Sequence, residues 1–346
     1  MNATTVAVDL AKSVFELAAA DARWKVTERA RLTRGQFERW FANREVSLVV
    51  MEACATAHYW ARWLRARGIE VRLLPAQYVR AYVRRNKTDA ADAVALLEAA
   101  RASDIRPVTV KSVEQQALQG LHRMRSAWMG ARTSRINMLR GFCREFGLEV
   151  RVGAVRGLEQ MGRLIADEHS GLPTMLRIPM RLALEEIRLL ETRIEGIERE
   201  LALIARQSPA CKELSSVPGI GLLGSTAMLA AVGDPRSFAS GRRYSSFFGL
   251  TPREFSSGHS RYLGRISKRG NRYIRVLLTH GARSVLRAAT VARRSGRKLD
   301  RLRSWALEVQ QRTNHNKATC ALANKLARIA WAVWVKHEPY RAVAAH

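Results

Sequence analysis

Acid is scarce in this chain. Its 346 residues carry 30 Asp+Glu against 59 Lys+Arg, a formal net charge of +29, and the isoelectric point lies near 11.3. That balance is far outside the range of an ordinary soluble enzyme and calls for a polyanionic partner, nucleic acid before anionic membrane. Cysteine is scarce too. Cys54, Cys143, Cys211 and Cys320 are scattered and form no CxxC pair, which excludes a zinc site or a disulfide framework and implies buried thiols in a reducing compartment. Long apolar runs are missing. A stretch such as Val46–Met51 is far too short to span a bilayer. No charged-then-apolar leader opens the chain, and no lysine-rich import signal is evident. These absences place the protein in the cytoplasm of a bacterial cell, associated with the nucleoid and not with a membrane. With 47% hydrophobic residues the chain can build real cores, and its length suits roughly two or three domains.

The charge is uneven. From Arg242 to His346 there are 23 Lys+Arg against 4 Asp+Glu, so +19 of the excess lies in the last 105 residues. The most suggestive carboxylates lie at the other end. This asymmetry implies metal chemistry in the first part and heavy phosphate contact in the last.

The first hundred residues alternate strand and helix signals. Thr4–Val8 is a β-rich run ending on Asp9, Val14–Ala18 resumes an extended pattern, Asp21-Ala22-Arg23 is a turn, and Trp24–Ala30 a third strand. Thr33 caps a helix through about Phe41. Val46–Met51 reads as a buried parallel strand. Helix His58–Arg67 follows, with Trp60, Trp63 and Leu64 on one face; Gly68 stops it, and Ile69–Leu74 is a fifth strand ended by Pro75. This is the ribonuclease-H order of elements. A long helical zone then runs from about Ala90 to Glu149. Met180, Ala183, Ile187, Leu190, Ile194, Ile197, Leu201 and Ile204 repeat at alternating spacings of three and four, which favours a coiled coil over a core helix packed within one chain. Gly196 weakens that helix locally. After Pro209, Val217-Pro218-Gly219-Ile220-Gly221 before an apolar helix through Val232 is a helix-hairpin-helix signature, in which Gly219 and Gly221 let a phosphate approach backbone N–H groups; an ordinary helix–helix turn is the alternative. From Tyr262 onward the chain reads as mostly helical, closing with Ala318–Val335 and its stripe of Leu322, Leu326, Ile329 and Val333.

Four acids stand out. Asp9 is an N-cap in its simplest reading, but strand and not helix follows it. Glu52 ends the fourth strand, which in this topology lies beside the first. Asp89 and Asp92, spaced i, i+3, share a helix face and follow a basic loop with Arg84, Arg85 and Lys87. Carboxylates gathered in so basic a chain imply divalent metal between them, here a pair of Mg²⁺ ions in phosphodiester chemistry. The alternatives are a solvated strand end for Glu52 and complements of the helix dipole for Asp89 and Asp92.

A second constellation runs from Pro252-Arg253-Glu254-Phe255-Ser256-Ser257-Gly258 to Gly264-Arg265-Ile266-Ser267-Lys268-Arg269-Gly270 and Arg272. It is a tight turn in a basic surface by default. Its functional reading makes Ser257 a nucleophile whose charge development is offset by Lys268, Arg269 or Arg265. His259 and His280 are candidate bases.

These blocks, Thr5–Leu17 with Asp9, Met51-Glu52-Ala53, Asn86-Lys87-Thr88-Asp89-Ala90-Ala91-Asp92-Ala93, Pro218-Gly219-Ile220-Gly221, and Gly249-Leu250-Thr251-Pro252-Arg253 through Ser257-Gly258 to Ser267-Lys268-Arg269-Gly270, resemble the DEDD transposases of the insertion-sequence 110 family, in its insertion sequence 1111 subgroup. The resemblance covers nearly the whole chain in the family's order. It implies an α/β plus all-α protein: a ribonuclease-H-like (RuvC-like) domain over 1–105, a helical region over 106–207 with a coiled coil at about 176–206, and a mostly helical C-terminal transposase domain over 208–346. It carries the catalytic, metal-holding tetrad onto Asp9, Glu52, Asp89 and Asp92 and the nucleophile onto Ser257, with Ser256 next to it as an alternative. It further implies an RNA-guided recombinase that mobilises its insertion sequence through a covalent phosphoserine–DNA link. Double-stranded DNA and a noncoding bridge RNA would be its partners. Dimers would pair into tetramers, in which the serine of one subunit meets the carboxylates of another. A resolvase-like nuclease using metal-activated water is the alternative. The chain departs from the family after Glu52, where Cys54 and Ala55 stand in place of a small hydroxyl residue and Gly. Nucleic-acid contacts are expected at Arg84, Arg85, Lys87, Gly219, Gly221, Arg253, Arg265, Lys268, Arg269 and Arg272.

Overall fold

The computed structural model describes residues 4–42, 44–82 and 89–344, with backbone alone for Asp89 and Ala90. Two compact units result, Met1–Val113 and Glu114–His346.

In the first unit, strands β1 (Thr5–Leu10), β2 (Val14–Ala20), β3 (Val26–Thr33), β4 (Leu48–Glu52) and β5 (Glu70–Leu74) form one sheet in the order β3-β2-β1-β4-β5. β1 is antiparallel to β2 and parallel to β4, which is parallel to β5. The third strand begins two residues later than the sequence suggests. Asp21 Oδ1 accepts from the N–H groups of Arg23 and Lys25, which holds Trp24 at φ 63 inside the turn. Helix α1 (Arg34–Ala42) starts where Thr33 was expected to cap it. The Gln36 side chain accepts from the Thr33 backbone at 2.8 Å and from its hydroxyl at 2.9 Å, so the third helical residue reaches back to the cap.

Side chains alternate across a strand, and the two faces of this sheet bury different partners. Val6, Val8, Phe15, Leu17, Val49, Met51, Val71 and Leu73 pack against α1 and α2 (Ala57–Arg65) through Phe37, Trp60 and Leu64. Phe15, Phe37 and Trp60 meet edge to face at 5.0–5.3 Å, each contact adding roughly 0.5–1.5 kcal/mol beyond area burial. On the other face, Ala7, Ala18, Leu48 and Val50 pack against α4 (Asp89–Arg101), which follows the short α3 (Ala76–Val79).

The single helical zone expected from Ala90 to Glu149 is broken. α4 ends at Arg101 and α5 runs Val113–Glu145. Between them Val108 bridges to Leu73, Val108 and Val110 pack on the sheet core, and the Lys111 N–H donates to His58 Nδ1 at 3.2 Å. Pro107 cannot continue a helix, and the chain spends these residues as an added edge.

In the second unit, α6 (Ala154–Ala166) and α7 (Thr174–Gln207) follow α5. The heptad seam of α7 faces helices of its own chain: Met180, Ala183 and Ile187 pack with Ile136, Leu139 and Met161, and Ile197 and Leu201 with Leu118. α5 and α7 run antiparallel, joined by Arg125–Glu198, Arg132–Glu191 and Arg135–Glu186 at 2.5–2.8 Å. The remaining helices, α8 (Pro209–Ser215), α9 (Leu222–Val232), α10 (Gly241–Phe247), α11 (Arg272–Arg294), α12 (Arg301–Arg312) and α13 (His315–Lys336), enclose the largest core. A hairpin, β6 (Pro252–Glu254) and β7 (Leu263–Ile266), interrupts them, so the helical reading from Tyr262 is displaced to Arg272. Buried His122 joins three helices, with Tyr273 Oη and Thr226 Oγ1 each 3.1 Å from a ring nitrogen. Burial, with Arg125 nearby, pulls its pKa down to about 4. No helix among the described residues is long and apolar enough to cross a membrane.

Candidate active site

The register of the sheet sets the first cluster. Val8 pairs with Met51 in the parallel ladder, so the next residues, Asp9 and Glu52, stand side by side on the two central strands. Asp9 shares its face with Ala7, and Glu52 with Val50. That face is the one α4 covers. On α4, Asp92 lies one turn before Leu96, which packs on that face, so its carboxylate looks toward the sheet. Asp89, one turn before Ala93, stands on the same side by helical spacing; its side chain lies outside the described residues, as do Arg84, Arg85 and Lys87.

Asp92 Oδ1 is buried and finds no hydrogen-bond donor among the described residues. An orphaned carboxylate oxygen is costly, and a cation satisfies it. Among the described residues no three His, Cys, Asp or Glu side chains converge closely enough to form a metal cage by themselves. The donor set is all oxygen, which suits a hard divalent cation. Sequence reading missed a further acid. Glu16 is the antiparallel partner of Asp9 and is held by Arg31 at 3.2 Å. The signal was available, since Glu16 is the polar exception in an otherwise apolar strand.

The second cluster is the β6–β7 hairpin. Beyond the named strands the ladder continues: Phe255 N–H donates to Tyr262 O at 2.9 Å, and Ser257 and Ser260 exchange backbone bonds at 3.1 and 3.0 Å. Gly258, at φ 54, makes the two-residue turn possible. Alternation gives the hairpin two unlike faces. Glu254, Ser256 and Arg261 share one: Ser256 Oγ donates to Glu254 Oε1 at 2.8 Å, and Arg261 Nε to the same oxygen at 3.1 Å. These donors hold the Glu254 carboxyl below its usual pKa, the Ser256 hydroxyl contributing most. Phe255, Ser257, Ser260 and Tyr262 share the other, while the Arg253 guanidinium donates to Ser267 O at the base at 3.3 Å. The Ser257 hydroxyl is exposed at the tip and makes no hydrogen bond among the described residues.

The cations expected around Ser257 are spread out. Arg253, Arg265, Lys268, Arg269 and Arg272 are all exposed, but Lys268 and Arg269 lie past the base of the hairpin, which the Ser267 and Lys268 N–H groups pin to Thr251 O at 2.8 Å and Gly249 O at 3.1 Å. With ~3.3 Å per residue, the tip stands roughly 20 Å beyond that base. Arg261 is the cation nearest in register, and the sequence reading missed it. Gly270, at φ 84, crosses so close that a Cβ would lie 2.0 Å from Phe247 O.

Gly219 and Gly221 separate in role. Gly219 (φ 81) is a packing glycine, since a Cβ there would lie 2.7 Å from Gly281 O on α11. Gly221 is exposed at the start of α9 and supplies no side-chain cap, so first-turn N–H groups face a cavity of about 340 Å³ whose lining includes Glu198, Gly219 and Leu277.

Comparison with known proteins joins the two clusters. A family model described as the IS116/IS110/IS902 transposase family matches residues 211–297, which include Ser257. A DEDD transposase model matches residues 6–146, which include all four acids. The chain is 41% identical to a probable family 20 transposase of Pseudomonas aeruginosa over 99% of both chains. The chain belongs to this transposase family. It is 38% identical to the transposase for insertion sequence element IS1111A of Coxiella burnetii, over 96% of this chain and 90% of the relative. With the transposase for IS1328 of Yersinia enterocolitica it shares 35% identity over 96% and 97%. As a member of that family, the chain is a transposase.

Proposed function

We propose that the transposase breaks and rejoins DNA through Ser257, with Asp9, Glu52, Asp89 and Asp92 as the metal-holding tetrad of a ribonuclease-H-like domain. The observation that carries the serine assignment is the division of the hairpin: Ser256 spends its hydroxyl on Glu254, whereas the Ser257 hydroxyl is exposed at the tip on the opposite face. Attack of Ser257 Oγ on a phosphodiester forms a P–Oγ bond and breaks the P–O bond to one strand, which leaves as a hydroxyl end while the serine proton passes to a base. Attack by a strand hydroxyl reverses these steps, re-forms the phosphodiester and frees the serine. Bond energy is conserved, and no nucleotide cofactor is required.

The strand order β3-β2-β1-β4-β5, with neighbouring Asp9 and Glu52 facing α4, supports the ribonuclease-H-like reading. Mg²⁺, probed by the orphaned Asp92 Oδ1, would supply charge stabilisation at the phosphate when bound. The acids' own task is to hold that charge on one sheet face. Guidance by a bridge RNA rests on the sequence blocks of the resemblance. For assembly into dimers and tetramers, the supporting surface is the outer side of α7, where Met175, Leu182, Leu189 and Leu203 are exposed at multiples of seven residues. A second copy on this stripe would make the heptad pattern intermolecular as well as internal. The serine of one subunit would then meet the acids of another.

Incubation with element-end DNA and Mg²⁺, followed by denaturing electrophoresis, tests the reading. Wild type and Ser256→Ala should give a covalent protein–DNA adduct, and Ser257→Ala none. An adduct that survives Ser257→Ala refutes the assignment. Hydrolysed ends with no adduct in any variant would favour a metal-activated water.

A further inference from the structure

The nucleophile's face of the hairpin carries more than the serine. Phe255 and Tyr262 oppose each other across the ladder, two residue pairs below Ser257 and Ser260 and on the same face. They are 61% and 63% exposed, with ring centroids 6.1 Å apart and planes inclined by 45°. Below this pair the ladder shifts register between Pro252 and Glu254; Gly264 lies beside Phe255, and the Arg253 guanidinium turns down to donate to Ser267 O at 3.3 Å. Gly264 is bare for a reason: a Cβ there would lie 3.0 Å from Phe255 Cε2, so the Phe255 ring lies over the glycine and is held flat along the strand. Reading along one face, an exposed aromatic pair and an unengaged hydroxyl follow at a two-residue step of about 7 Å. Two aromatics left in water at the tip of a hairpin in a strongly basic region contribute nothing to the core. Their chemistry suits a π-faced partner attached to anions on either side.

We propose that Phe255 and Tyr262 are a stacking platform for one unpaired base of the DNA strand that is cut, the base next to the phosphate attacked by Ser257. This rests on the serine reading above and extends it by naming what positions the strand. The platform requires that base to leave the duplex stack, so it favours DNA already opened or mismatched at the cut point. It also ties the position of the phosphate to the serine, since a base stacked two residue pairs below the tip fixes how far its own phosphates reach.

Photocrosslinking with 5-iododeoxyuridine, placed in turn at each position around the cut point of element-end DNA and bound to the full chain, tests the platform. The expected result is a crosslink to Phe255 or Tyr262 from one position beside the cut. Crosslinks confined to other residues, or to 5-iodouridine in RNA and never in DNA, overturn it. In parallel, the double variant Phe255→Ile with Tyr262→Ile keeps apolar, strand-forming side chains but removes both rings. It should lower adduct formation about tenfold or more, the size expected for one stacked base. Phe255→Tyr should retain adduct formation, and a mismatch at the cut point should restore part of the loss. Full activity of the double isoleucine variant overturns the proposal. If the wild type itself forms no adduct, the serine reading falls, while the crosslink, which needs only binding, still decides the platform.

Discussion

Two glycines in long helices should respond in opposite directions to the same substitution. Gly196 lies in α7, and a Cβ there meets nothing within 4 Å; Gly281 lies in α11, and a Cβ there would lie 2.0 Å from Gly219 O and 2.8 Å from Gly219 C. By helix propensity alone, Ala for Gly stabilises either helix by about 1 kcal/mol. At Gly196 that gain should appear nearly in full. At Gly281 the obstacle is backbone and cannot rotate aside, so α11 and the turn at Gly219 must separate by about an ångström. Overpacking of this kind costs about 1–3 kcal/mol, here toward the upper end. The expected net effect of Gly281→Ala is a loss of about 2 kcal/mol, or about 1 M in the urea midpoint for a typical denaturant slope. Far-UV circular dichroism in urea reads it, because helices dominate the second unit. DNA affinity should fall with stability, since the same displacement moves the exposed start of α9 at Gly221. If Gly281→Ala proves as stable as the native chain while Gly196→Ala gains, the close packing of Gly219 against α11 is refuted.

Other perturbations have equally definite outcomes. Arg177 donates to the carbonyls of Ile165, Asp167, Glu168 and Leu172 and to Ser170 Oγ at 2.6–3.3 Å; Arg177→Met should cost about 2–3 kcal/mol in thermal unfolding, and Arg177→Lys, which lacks the planar fork, should recover little of it. His122 takes up a proton near 6.5 when unfolded but only near pH 4 when folded. The unfolded state then binds more protons within that window, so stability should fall as pH drops from 6.5 toward 4, by up to roughly 3 kcal/mol. His58, also lowered to about 4 chiefly by burial, acts in the same direction, and His122→Gln should flatten the profile measured by urea titration at each pH. Asp92→Asn should raise the melting temperature in EDTA, because it removes the charge on a buried oxygen without a donor, and should abolish the further rise on adding Mg²⁺. A Mg²⁺-dependent rise that survives Asp92→Asn would count against the tetrad. The steep salt dependence expected of phosphate contacts should lessen when Arg265 and Arg272 are both replaced by Ala, as read by DNA binding at two ionic strengths.

Much of the fold was legible because local pattern and tertiary environment agree. Val46–Met51 reads as a nearly continuous apolar run, and the strand, Leu48–Glu52, is buried on both faces, with Val49 and Met51 against one set of helices and Leu48 and Val50 against another. Thr33 reads as a cap and is completed by Gln36. The heptad of α7 was also legible as a pattern, but a pattern of period 3.5 does not say whose side chains fill its seam. Here α5 and α6 of the same chain do so, and the stripe left for another copy is a different one, offset around the helix. The break between α4 and α5 was missed although Pro107 and the two-residue spacing of Val108 and Val110 are both local signs against a helix. What draws these residues onto the sheet is the open edge of β5.

The site was legible in its residue types and less so in its geometry. Asp9 and Glu52 could be paired from the order of strands alone, because parallel neighbours with Val8 opposite Met51 leave no other height for the two carboxylates. Glu16 follows from the same logic applied to the antiparallel neighbour, a step the reading of four acids did not take. At the hairpin the sequence offered two serines and five cations at short separations, and short separation suggested proximity. A ladder with a two-residue turn separates them: Ser256 goes to the face of Glu254 and Arg261, Ser257 to the face of Phe255 and Tyr262, and the Arg253 guanidinium, Lys268 and Arg269 stay behind at the base. Arg261 lies on the opposite face, held by Glu254, and Arg253 turns to Ser267 O at the base, so cations that balance charge at a phosphate on Ser257 must come from elsewhere. A site completed by a second subunit follows more naturally from that spacing than one completed within the hairpin, because a tip standing free of its own basic base is built to reach into something else.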